Sequence, residues 1–178
     1  MSRGWRHGQG DRASKTRKRP AVTLITEPIP REPILRPTAQ VAKHPIHPML
    51  VPIPIVCFIG ALVTDIAYAV TAEMMYADFS AWLLLVGIVF GVLAAIAGLI
   101  DFIGNPLIRQ QSAAWLHMIG NLAVLILAFF NNLIHTRDAW TSVMPVGLIL
   151  SIVTVLILPV TGWLGWEMVY RRGAGAVR

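Results

Sequence analysis

Residues 80–102 read SAWLLLVGIVFGVLAAIAGLIDF, and this stretch decides the fold. Asp101 is its one charged side chain, and its length is close to the roughly 20 residues that carry a helix across the hydrocarbon core of a bilayer. It is too long for a barrel strand and has no sustained alternation of apolar and polar positions. In lipid the backbone must satisfy its own hydrogen bonds within the segment, which leaves a helix. Working outward, similar apolar runs occupy 49–71 before it and 113–134 and 143–166 after it. The connections are short, so neighbouring helices run antiparallel. The expected fold is all-α: a polytopic membrane protein built as a four-helix transmembrane up-down bundle over residues 44–172. A disordered basic tail precedes it over 1–43, and a short tail follows over 173–178.

Composition agrees. Charged residues make up 13% of the 178 residues, about half the share in an ordinary soluble domain. Ten of the fifteen Lys and Arg lie in residues 1–43, opposed there only by Asp11, Glu27 and Glu32. Pro20, Pro28, Pro30, Pro33 and Pro37 punctuate the same segment, which has too little apolar surface to offset the entropy of ordering. It does not read as a secretory signal, because the first long apolar run begins only near Met49. The one cysteine, Cys57, lies in an apolar run and reads as packing.

Orientation follows from the distribution of basic residues. The tail, Arg109, Arg171, Arg172 and Arg178 place fourteen on one side of four spans, against Arg137 alone on the other. The richer side is the cytoplasmic one, so both termini are expected inside the bacterial cytoplasmic membrane. Tyr76, Trp82 and Trp140 then fall near the outer boundary, and Trp115, Trp163, Trp166 and Tyr170 near the inner one. Gly87, Gly91, Ala94 and Gly98 recur at helical spacing, so a neighbouring backbone can approach closely along that stripe. Whether that neighbour lies within the bundle or in a second copy stays open. Pro159 is expected to kink the last helix, with Thr161 near the freed carbonyl.

Ionisable and amide side chains in a span are costly and need a reason to be there. They fall in two layers. The inner layer has His44 and His47 before the first span, Asp101 ending the second, His117 and Asn121 starting the third, and Glu167 ending the fourth. The outer layer has Asp65 and Tyr68 late in the first span, with Asn131, Asn132 and His135 late in the third. Eighteen residues separate His47 from Asp65, and His117 from His135, roughly 27 Å at 1.5 Å per residue. One site therefore cannot hold both layers. His117 and Asn121 are four apart on one face, and Pro45 and Pro48 fix the chain around His47. Three imidazoles at one depth point to a ligand site. Plainer readings stand beside it: His135 as a solvated interface residue, Asp101 and Glu167 paired with Arg109 or Arg171, Asn121 as a bridge between helices.

HPIHPMLVPIPI at 44–55, GLIDF at 98–102, WLHMIGN at 115–121 and GWLGWEMVY at 162–170 resemble, in order, the motifs of a bacterial four-span membrane family, domain of unknown function 2231. The resemblance covers about residues 43–176. It implies that His44, His47, Asp101, His117, Asn121, Glu167 and Tyr170 stand at the family's characteristic positions, and that Asp65 matches a recurrent acidic one. Where many relatives read GGELVYRHG, this chain has Trp166 for the second glycine and Arg172 for the histidine. Relatives that accompany iron–sulfur or other redox domains imply a redox setting.

The leading functional expectation is a b-type haem or a divalent metal at the cytoplasmic end. His117 with His47 or His44 would supply the axial pair, and Asp101, Asn121, Glu167 and Tyr170 would orient them. In the metal variant, His44, His47, His117 and a carboxylate form the ligand set. The alternatives are a structural or assembly subunit of a membrane complex, and a small permease using Asp65 and His117. No hydrolase triad, phosphate loop or cysteine pair for zinc is present, so enzyme activity by the chain alone is not expected. Partners are the lipid bilayer, and a membrane redox protein or a second copy. The basic tail reads as setting topology, with attraction to anionic lipid of about 1 kcal/mol per residue, and nucleic acid is not an expected partner. A cysteine at Tyr76 should react with an impermeant maleimide added to intact cells. Labelling seen only after the cells are opened would overturn the orientation.

Overall fold

A computed structural model describes residues 37–42, 44–137 and 139–171. The disorder expected of the tail therefore lies, over residues 1–36 and at Lys43, outside the described residues. Residues 37–42, tail-like in composition, are folded. Strand β1 (Gln40–Val41) pairs antiparallel with β2 (His44–Pro45), and the turn starts at Ala42 in left-handed backbone, φ 50°.

Helix α1 (Ile46–Leu50) leads into α2 (Pro52–Thr71), which opens on proline at the one end of a helix where a missing N–H costs nothing. Ala72 closes α2 in the left-handed region (φ 58°), its N–H bonded to Tyr68 O at 2.8 Å. Only Glu73 then separates it from α3 (Met74–Gly104). Hydropathy alone predicts a loop over 73–79, yet 74–79 join the helix, because MMYADF contains no glycine or proline to stop it. The resulting 31 residues span roughly 46 Å, longer than the roughly 30 Å of a bilayer core. Pro106 ends α3, since the residue before a proline leaves helical backbone. Asn105 is extended there, and its side chain caps the short α4 (Pro106–Arg109) through Leu107 N at 3.0 Å. Helix α5 (Ser112–His135) and α6 (Val146–Trp166) complete the bundle. Helix α6 runs unbroken through Pro159, and a π-helical turn, Glu167–Arg171, continues it.

The four long helices form a ring in which α2 touches α3 and α6, and α5 touches the same two. At the centre lie Phe58, Ala61, Leu84, Val124, Ala128 and Leu158, at least one from each helix. Large apolar side chains such as Val70, Trp82 and Leu156 face outward, as lipid contact requires. The small-residue stripe of α3 is spent inside the bundle: a Cβ on Gly87 would lie 2.6 Å from the Phe58 ring, and one on Gly91 2.7 Å from Leu125.

Gly87→Ala should therefore cost about 1–3 kcal/mol by overpacking. A Cβ on Gly162 would meet nothing within 4 Å, so Gly162→Ala should be neutral or stabilising by up to about 1 kcal/mol. Denaturant unfolding of the detergent-purified variants checks both, and the reverse ranking would contradict this packing.

Candidate functional site: two imidazoles facing one cleft

His47 enters the bundle from α1, and its Nδ1 donates to the carbonyl oxygen of Ala94 at 2.7 Å. Gly98, one turn further along α3, makes the room: a Cβ there would lie 3.0 Å from that same Nδ1. The opposite wall repeats the device. His117 Nδ1 donates to Thr161 O at 2.8 Å, and a Cβ on Gly165 would lie 2.9 Å from His117 Cε1. In both cases the acceptor sits four residues before the glycine. A carbonyl oxygen can only accept, so each Nδ1 carries a hydrogen, and the neutral ring keeps its lone pair on Nε2. The two ring centres are 5.9 Å apart with planes at 80°. Asn121 Nδ2 donates to His117 O at 2.7 Å, tying its own side chain to the helix turn that carries the imidazole.

Both imidazoles line a cleft of about 370 Å³, within the size range of small-ligand sites. Leu99, Phe102, Met118, Leu122 and Met168 give it apolar walls. A smaller space of about 70 Å³, also touched by both rings, continues toward the core.

The other residues expected at this level are not all brought to the imidazoles. His44 is exposed on β2, its Nδ1 donating to Ala42 O at 3.2 Å. Asp101 does line the cleft, but its Oδ1 accepts from the amides of Thr38 and Ala39, both at 2.6 Å, and so holds the N-terminal hairpin against α3. Tyr170 is 73% exposed and stacks on Trp166 at 5.4 Å, while Glu167 is half-buried in the π-helical turn. Among the described residues, no three His, Cys, Asp or Glu side chains are grouped as metal ligands. The expected set of three histidines and a carboxylate is therefore not assembled. Shared depth brings these residues to one level, but His44 lies on β2 and is exposed there, and Asp101 is turned on α3 toward the hairpin.

The far end of the bundle holds a second polar cluster. Asp65 is 0% exposed, and its Oδ1 meets His135 Nε2 at 2.9 Å. Ser151 Oγ donates to Asp65 Oδ2 at 2.5 Å and accepts from Asn131 Nδ2 at 2.7 Å. His135 Nδ1 donates to Asn131 O at 2.9 Å, and Gly147 makes room for this ring too, 3.0 Å from a Cβ to its Cε1. His135 is thus buried and paired, not a solvated interface residue, because the face of α5 that carries it turns toward α2. The sequence reading passes over Ser151 and Thr154, whose one signal is a pair of hydroxyls three residues apart in an apolar run.

Removing one partner of a buried pair strands the other, whereas removing both leaves packable space. Asp65→Leu or His135→Leu alone should cost about 3–5 kcal/mol, and the double variant should cost less than the sum of the two. Strictly additive losses in unfolding would show that the two groups do not act as a pair.

Residues 43–178 match the family model described as "Predicted membrane protein (DUF2231)". No curated protein and no solved structure matches the chain. With four helices long and apolar enough to span a bilayer and a family match over most of its length, the chain belongs to the DUF2231 family of membrane proteins.

Proposed function

We propose that the cleft lined by His47 and His117 binds b-type haem, which these two imidazoles would hold, and that the protein carries single electrons for a membrane redox partner. The observation that carries this reading is the pairing of the two rings. Each is oriented by a carbonyl on Nδ1, which leaves Nε2 as the ligating atom. Their centres are 5.9 Å apart, so one bound group in the cleft could meet both rings. The donor set fits the group: imidazole nitrogen suits iron, and apolar walls with ordered outer partners are what tune such a centre.

The haem iron, when bound, supplies the one-electron chemistry. The residues of the chain do the rest. Ala94 O and Thr161 O fix the ring planes, Gly98 and Gly165 leave space for them, and the apolar side chains exclude water. Asp101 holds the hairpin across one side of the cleft. With the basic residues facing the cytoplasm, this site lies at the cytoplasmic end of the bundle in the bacterial inner membrane.

A second reading is a structural subunit of a membrane complex or homo-oligomer, with the polar layer acting as a latch. It is favoured by one observation: both Nδ1 atoms and Asp101 Oδ1 already have partners within the chain. Visible spectra of the detergent-purified protein, air-oxidised and then dithionite-reduced, with elemental analysis of the same sample, separate the two. A Soret band that sharpens on reduction and is lost in His47→Ala and in His117→Ala is expected. Colourless, metal-free protein from haem-replete cells would leave the latch.

A further inference from the structure

The far cluster, which the haem reading does not use, has an unbalanced inventory of protons and acceptors. His135 Nδ1 faces the carbonyl of Asn131, so it carries a hydrogen. Its Nε2 lies 2.9 Å from a carboxylate oxygen, a distance at which two lone pairs repel. One proton therefore sits between Asp65 and His135, and it alone neutralises the buried carboxylate. Among the described residues, the ionisable groups at this end of the packed elements are Asp65 and Tyr68 of α2, half-buried Tyr76 and exposed Asp78 of α3, and His135 of α5. Helix α6 offers hydroxyls, and α3 offers Ser80, bonded to Thr64. Arg137, two residues past His135, is exposed. Loss of the shared proton would leave a buried anion that needs another cation.

Acceptors for such a cation are already in place. Asn131 is 0% exposed and Thr154 2%, and Asn131 Oδ1 and Thr154 Oγ1 have no hydrogen-bond partner. The Asn131 amide belongs to the cluster through Ser151, and its Oδ1 lies beside Gly147 and the His135 ring. Asp65 Oδ2, Ser151 Oγ and Asn131 Oδ1 form an all-oxygen set carrying one negative charge, and Thr154 lies one turn further than Ser151 along the same buried face of α6. Oxygen donors select hard cations, and a single carboxylate beside a neutral imidazole balances one positive charge.

We propose that the Asp65–Asn131–Ser151 cluster is a binding site for one monovalent cation of sodium's kind, which exchanges with the proton held between Asp65 and His135. One proton leaves for each cation taken up, so the buried charge stays balanced. The two states differ in which positive charge the carboxylate holds.

Equilibrium binding of ²²Na⁺ to the purified full-length protein, at constant ionic strength in choline chloride, tests this. Saturable binding of about one ion per chain is expected at alkaline pH, with affinity falling by up to about tenfold per pH unit as protons compete. Asp65→Asn should abolish it, and Asn131→Leu, which keeps approximate volume and removes the orphan oxygen, should weaken it by at least about tenfold in protein that still melts cooperatively. The Asn131 variant decides the matter if Asp65→Asn does not fold. No sodium binding between acid and alkaline pH would overturn the site and leave the orphan oxygens to buried water. Binding indifferent to pH, or to both substitutions, would overturn it equally.

Discussion

Apolar side chains gain nothing by leaving lipid for another helix, so a bundle in a bilayer closes through close packing and interhelical hydrogen bonds. Here both depend on the same feature, a glycine on one helix opposite a bulky group on the next. Phe58 fills the space at Gly87, Leu125 that at Gly91, and the Thr161 methyl that at Gly120. At three further glycines, Gly98, Gly147 and Gly165, the group that fills the space is an imidazole. The contacts that close the bundle also position His47, His117 and His135.

The two polar ends use that arrangement to opposite effect. At one end His47 and His117 each spend Nδ1 on a carbonyl of another helix, and both line an apolar cleft. At the other end His135 bonds through both nitrogens, and the carboxylate it meets is fully buried. The first arrangement leaves each Nε2 without a bond to a carbonyl, whereas the second pairs the imidazole with a buried carboxylate. A helix rise of 1.5 Å per residue keeps them roughly 27 Å apart, so no one site spans both ends.

Much of this architecture was legible in the residues. Four apolar runs of spanning length, and the two depths at which polar groups cluster, follow from segment length and from the fixed rise of a helix. The ends of the elements were less legible. Helix α3 starts at Met74 because nothing in MMYADF breaks a helix, although that segment is less apolar than the span that follows. Residues 37–42 look like tail by composition, but Asp101 gives their amides a partner, and they fold against α3.

By itself the sequence determined a membrane-spanning four-helix chain, its antiparallel order and the level of each polar residue, because these depend on hydrophobic length and helical rise, both local properties. Only the tertiary structure decided which residues meet. Asp65 finds His135 seventy positions away and Ser151 eighty-six away, while His44 and Asp101, at the same depth as His117, turn elsewhere. Partner choice depends on the rotation of each helix about its axis and on which neighbour it packs against. Those are set by the fit of side chains to glycines on other helices, which no single segment contains.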